Sequence, residues 1–187
     1  MGRPKLLLPW GKTTVIGHLV AQWKELGATQ IVVVCGKDDA GISSELTRVG
    51  LSEEQRIFNP DPERGMFSSI QCAARWTGWT GGLTHFVLSL GDQPHVCSAT
   101  LKVLLDLGQE EPEKVCQLRQ GGHRRHPVLL PRSEFEELAR ANATDLKAFL
   151  EQTKCGTGFC DSDDPALALD LDWPEDYERA LGLYAPK

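Results

Sequence analysis

With 187 residues, 41% hydrophobic and 25% charged, the chain has the size and composition of one ordinary globular domain, expected to span 1–187. No apolar run approaches the roughly 20 residues of a membrane-spanning helix, and Pro9 interrupts the short run Leu6-Leu7-Leu8 that a signal peptide would need to extend. A net charge of -6 excludes the broad basic face of a general nucleic-acid binder.

The expectation from these features is a cytoplasmic protein with no membrane and no nucleic-acid partner. Six cysteines are scattered without a Cys-x-x-Cys pair. The nearest two, Cys155 and Cys160, have no following His/Cys pair, which argues against a zinc site or a disulfide framework.

In chain order, Thr13 to Leu26 places Val15, Ile16, Leu19, Val20, Trp23 and Leu26 at helical spacing, with Gly27 as a stop. Ile31 to Cys35 is a continuous β-branched run that reads as a strand buried on both faces. Asp38 to Val49 is a weaker helix. Arg56-Ile57-Phe58 is a short strand, and Asn59-Pro60-Asp61-Pro62 is a loop because prolines remove ladder donors. Met66 to Trp76 reads as a helix, and Phe86 to Leu90 as a second central strand broken by Gly91-Asp92-Gln93-Pro94. Ser98 to Leu107 is helical with a serine cap. Val115–Leu118 and Pro127–Leu130 are strands flanking Gly121-Gly122. Ser133–Arg140 and Thr144–Gln152 are short helices. Ala166–Leu171 is a last strand, and Pro174 opens a terminal helix.

Alternating strands and helices predict an α/β fold with a doubly wound, mainly parallel sheet, in which Val115 to Leu130 is a small antiparallel excursion. Ligands of such sheets bind beyond the carboxyl ends of the strands. Asp92, after the strand Phe86–Leu90, is placed to hold a hard cation, or else to stabilise its own turn. Asp172 ends the last strand. It either caps the terminal helix or shares a Mg²⁺ ion with Asp92, since two carboxylates plus substrate phosphates are a common way of holding Mg²⁺.

Lys5 is either a solvated lysine or the cation that neutralises triphosphate oxygens. Ser68 and Ser69 lie at a helix start, where hydroxyls and backbone N–H groups can meet an anion or simply cap. Arg124 and His126 belong to the compact basic run His123-Arg124-Arg125-His126, which can bind a phosphate or remain a solvated turn.

Five segments, in order, carry a resemblance. They are Met1-Gly2-Arg3-Pro4-Lys5-Leu6-Leu7-Leu8-Pro9-Trp10, Asn59 to Ser69 (NPDPERGMFSS), Gly91-Asp92-Gln93-Pro94, His126-Pro127-Val128-Leu129, and Leu169 to Tyr177 (LDLDWPEDY). Together they resemble the molybdenum cofactor cytidylyltransferases, within the MobA-like nucleotidyltransferase superfamily. The resemblance implies a nucleotide-diphospho-sugar transferase-like fold and transfer of CMP from CTP to a molybdopterin-type cofactor, with release of pyrophosphate. It assigns Mg²⁺ to Asp92 with Asp172 as second ligand, the triphosphate to Lys5, the nucleotide to Ser68 and Ser69, and the pterin side to the loop of Arg124 and His126.

The implied partners are CTP, the molybdopterin-type cofactor, and a molybdoenzyme or its maturation chaperone. Two departures stand out. The family's N-terminal strand and glycine-rich loop would precede Met1, and Arg125 stands where the family has glycine before the His-Pro pair. The alternatives are a transferase of the same fold using GTP or a sugar phosphate, and a non-catalytic cofactor-binding protein. Leu8-Pro9-Trp10 and the Asn59-Pro60-Asp61 segment look more like the cytidylyl group.

Overall fold

The computed structural model describes residues 4–36 and 40–186. Pro9–Trp10 (β1) and Thr13–Thr14 (β2) pair as a small antiparallel hairpin that leads into the helix Val15–Glu25 (α1). Thr14 caps α1, its Oγ1 accepting from the Gly17 N–H at 3.1 Å. The helix stops at Gly27, whose φ of 87° suits the left-handed position after a helix. The expected stripe Val15, Ile16, Leu19, Val20 and Trp23 is buried.

Val33–Cys35 (β3) and Arg56–Phe58 (β4) pair in parallel, with the helix Ala40–Arg48 (α2) between them. The expected helix start at Asp38 lies outside the described residues. Met66–Arg75 (α3) follows β4, and then His85–Leu88 (β5) and Ser98–Glu110 (α4). Val115–Gln120 (β6) and His123–Pro131 (β7) form a long hairpin. Its turn, Gly121-Gly122, needs positive φ at both positions (59° and 78°), which glycine supplies without strain. The helices Arg132–Leu138 (α5) and Leu146–Leu150 (α6), the strand Thr157–Asp161 (β8) and the helix Pro174–Tyr184 (α7) complete the chain.

In the larger sheet β7 lies between β5 and β6, antiparallel to both, and β8 pairs in parallel with the far edge of β6. Helices cover both faces. On one face Phe67, Ile70, Phe135, Leu138 and Phe149 pack against Phe86, Val115, Val128 and Leu130. On the other, Trp23, Leu101 and Leu104 pack against Cys116, Leu118 and Leu129. Phe86 and Phe135 stack with centroids 3.9 Å apart, and Trp79 meets both rings edge-on.

The α/β class and the helices on both faces are as expected, but the sheet is mixed rather than mainly parallel. Three local expectations are corrected. Ala166–Leu171 is not a strand. Pro165–Ala168 makes a 3-10 turn, capped by Asp164, whose Oδ1 accepts from the Ala166 N–H at 2.9 Å. Ala166 and Leu167 of the turn, and Leu171 beyond it, are buried without any ladder partner. The strand lies instead at Thr157–Asp161, a Thr-Gly-Phe-Cys-Asp run with little apolar content, chosen by its pairing with β6. Finally, Ile31–Cys35 is only half-buried, and β3 is not hydrogen-bonded to β5.

Candidate active site

Lys5, Ser69, Asp92 and His126 all line one cavity of about 860 Å³, whose walls include β3 and β5. Each is held by a different element. Lys5 opens a 3-10 turn, Lys5–Leu7, whose next residue packs on the loop after β5, so closely that a Cβ on Gly91 would stand 3.1 Å from Leu6 Cδ2. A glycine there lets the two segments meet. Asp92 follows Gly91 on a loop anchored by its buried continuation, Gln93 to Val96. Gln22 of α1 grips that loop, its Nε2 donating to the Val96 carbonyl at 2.9 Å. Asp92 is partly exposed and makes no hydrogen bond or ion pair among the described residues.

His126 sits on β7 with Nδ1 3.5 Å from the Leu88 carbonyl oxygen. Burial holds its pKa below the ordinary 6.5, while the Leu88 carbonyl and the Asp92 carboxylate pull it back up. At neutral pH it is an uncharged imidazole beside a carboxylate.

Ser69 is placed by a residue not assigned to the site from the sequence. Asn59 is 1% exposed, and its Nδ2 donates to Ser68 Oγ at 2.8 Å and to Ser69 Oγ at 2.9 Å. Its Oδ1 accepts from the Asp61 N–H at 2.9 Å, fixing the turn into α3. The signal for it was the Asn-Pro-Asp-Pro stretch, where a buried side chain able both to donate and to accept is the natural organiser of a loop without ladder bonds. Ser68 is buried and donates to the Gly65 carbonyl at 2.8 Å, so its hydroxyl closes the helix start and does not line the cavity.

The sequence of this chain matches the family described as the MobA-like NTP transferase domain over residues 1–156. The chain belongs to that family. No curated protein matches it at a significant level. Its fold is nucleotide-diphospho-sugar transferase-like, shared with the solved structures that follow. The crystal structure of Rv0371c from Mycobacterium tuberculosis is 29% identical, with 97% of this chain and 90% of that one covered at a TM-score of 0.73. The same protein in complex with manganese is 27% identical, with 97% and 93% covered and a TM-score of 0.69. Molybdopterin-guanine dinucleotide biosynthesis protein A from Archaeoglobus fulgidus is 17% identical, with 97% and 90% covered and a TM-score of 0.67, a likeness of fold.

Besides Ser68, two of the expected site residues of this MobA-like chain stand apart from the cavity. Asp172 accepts a hydrogen bond from Lys5 Nζ at 2.9 Å and does not line the cavity. It follows no strand, and the terminal helix is closed by Asp176, whose Oδ2 accepts from the Trp173 N–H at 3.1 Å. The Lys5–Asp172 pair has side chains 35% and 66% exposed, and exposed pairs contribute only about 0–1 kcal/mol. Exchanging Asp172 for a phosphate oxygen therefore costs Lys5 little.

Arg124 is exposed on the β6–β7 hairpin. Its guanidinium lies 5.2 Å from the centroid of Phe159, whose ring also carries Arg119 at 4.9 Å. Arg119 in turn holds Asp161 through two bonds of 3.0 Å.

For a divalent metal the chemistry of the donors is a fit at one point. Asp92 lines the cavity as a carboxylate with no hydrogen bond or ion pair among the described residues, suited to a hard cation that takes its remaining ligands from phosphate and water. No group of three or more His, Cys, Asp or Glu side chains forms a ready-made cage among the described residues. Asp172 joins such a site only by leaving Lys5. No disulfide joins any two cysteines among the described residues, and burial pushes the Cys116 thiol up to about 11, which leaves it unreactive. No helix among the described residues is long and apolar enough to cross a membrane.

Proposed function

We propose that this MobA-like chain is a Mg²⁺-dependent cytidylyltransferase of the cytoplasm, one domain over 1–187, that transfers CMP from CTP to a molybdopterin-type cofactor. The observation that carries the reading is that Lys5, Ser69, Asp92 and His126 line the same cavity. A cation, a hydroxyl, a free carboxylate and a neutral imidazole are the groups that positioning and charge neutralisation of a triphosphate call for.

In the reaction a terminal phosphate oxygen of the pterin cofactor attacks the α-phosphorus of CTP. The bond from that phosphorus to the bridging oxygen breaks, and pyrophosphate leaves with the electron pair. Lys5 binds triphosphate oxygens and offsets the charge on the departing pyrophosphate. Ser69, fixed by Asn59, donates its hydroxyl to a nucleotide oxygen. His126, uncharged, offers a ring nitrogen to the acceptor phosphate, and Arg124 on the neighbouring hairpin adds a positive charge on that side. Asp92, with Asp172 recruited as second ligand, would hold a Mg²⁺ ion, which would supply further neutralisation of phosphate charge.

The test is transfer from labelled CTP, GTP and ATP to molybdopterin with Mg²⁺ present, followed by pyrophosphate release. CTP is expected to be preferred over GTP by at least about tenfold in kcat/KM, or about 1.4 kcal/mol. GTP used equally well moves the chain to the guanylyl branch, and no turnover with any nucleotide leaves the cofactor-binding alternative.

A further inference from the structure

The loop that carries Asp92 and the segment that carries Asp172 come from distant parts of the chain, and one buried side chain hydrogen-bonds the two together. His95 lies three residues beyond Asp92 on the loop after β5 and is 2% exposed. Its Nε2 stands 3.0 Å from the carbonyl oxygen of Leu169, which is three residues ahead of Asp172. A carbonyl only accepts, so in the neutral ring the proton sits on Nε2 and the imidazole donates.

Residues 169–173 lie between the 3-10 turn Pro165–Ala168 and α7 and belong to no helix or strand. Leu171 sinks into the cluster of Trp10, Leu19 and Tyr177, a non-directional contact that holds the segment down without fixing where its backbone stands. The directional bond is the one from His95. Packing alone does not call for an imidazole there. Nδ1 is buried with no hydrogen-bond partner among the described residues, and a buried unpaired polar atom is destabilising. A phenylalanine would fill the same space beside Tyr184, whose ring centroid is 6.1 Å away, without leaving that atom unpaired. What the imidazole adds is its bond to Leu169.

We propose that His95 is a positioning residue for the two carboxylates. Its bond to Leu169 fixes the Asp172 segment against the Asp92 loop, at the spacing from which both carboxylates reach one divalent cation. His95 makes no hydrogen bond to either carboxylate among the described residues, so it acts through the backbone of the two segments. At rest Asp172 is on Lys5, an exposed pair that is exchanged at little cost, and what the fold has to supply is therefore the spacing. The inference rests on the reading of Asp92 and Asp172 as ligands of one cation, and its test separates the two.

The probe is Mn²⁺ alone, a cation suited to carboxylate and water ligands, with its binding to the full chain read by calorimetry in the absence of nucleotide. His95→Phe and His95→Leu remove the donor and keep an apolar side chain in the space, whereas His95→Gln keeps an N–H near the place of Nε2. Each is made in the parent and together with Asp172→Asn, and melting curves establish that each variant is folded. The Phe and Leu variants are expected to weaken Mn²⁺ binding about tenfold, and the Gln variant to stay within about threefold of the parent. With Asp172→Asn already present, the Phe and Leu changes should weaken binding by less than about twofold, because His95 acts through that segment. A merely structural loss is equal in the two backgrounds. Unchanged Mn²⁺ affinity on losing the donor, or an equal loss in both backgrounds, would overturn the positioning role. Unchanged affinity in Asp92→Asn and Asp172→Asn themselves would overturn the shared-cation reading, and this inference with it.

Discussion

Replacing Asn59 with alanine tests whether one buried amide holds the nucleotide side of the cavity together. The side chain is 1% exposed and makes three hydrogen bonds, to Ser68 Oγ, to Ser69 Oγ and from the Asp61 N–H. A buried intramolecular bond contributes about 0.5–1.5 kcal/mol net, so removing all three costs about 2–4 kcal/mol. Ser68 keeps its bond to the Gly65 carbonyl, which bounds the loss from that side. For a chain of this size the expected fall in melting temperature is about 5–15 °C.

The assay is urea unfolding of Asn59→Ala, Ser68→Ala and the double variant, with nucleotide binding measured on each. The double-mutant cycle should show a coupling of about 1 kcal/mol between the two residues. Because Ser69 loses its anchor, Asn59→Ala should also weaken nucleotide binding more than Ser68→Ala does. A loss of stability below about 1 kcal/mol, or zero coupling, would refute the claim that Asn59 organises this corner.

Three further outcomes follow from the same geometry. Asp92→Asn should melt within about 1 °C of the parent, because the carboxylate makes no hydrogen bond or ion pair among the described residues, yet cut transfer by at least about a hundredfold; near-normal turnover measured with CTP and Mg²⁺ would remove Asp92 from the mechanism. Phe135→Ala, deleting a 2% exposed ring stacked on Phe86, should cost about 3–5 kcal/mol in denaturant unfolding. The pH dependence of stability has a definite sign. Burial lowers the folded pKa of His126 and of His95 below the unfolded 6.5, so both must charge on unfolding in acid. Their contribution is complete above about 6.5 and is lost as pH falls through the folded values, so melting temperature should be flat from about pH 7 upward and drop below about 6.5. His126→Gln should make that acid decline shallower, as read by melting curves across the pH series.

The positions of the helices and of the central apolar strands were legible in the sequence because they rest on local rules. The Val15-Ile16-Leu19-Val20-Trp23 stripe, the Thr14 cap and the Gly27 stop act within a few residues of one another. The residues Lys5, Ser69, Asp92 and His126 were legible as reactive types at strand and helix ends. What the sequence left open was partnership. Whether Ala166–Leu171 or Thr157–Asp161 was the strand depended on which could reach β6, and ladder bonds are made between residues far apart in the chain.

In the same way, nothing local distinguishes an Asp172 facing Asp92 from one held by Lys5, 167 positions away. Asn59 reads as a loop residue until its donors are seen to meet two serines. Composition, periodicity and capping determined which segments would be ordered and roughly what chemistry they carry. Only the tertiary structure decided which strands paired and which polar groups found each other, because those outcomes are set by long-range packing and by the satisfaction of buried polar groups.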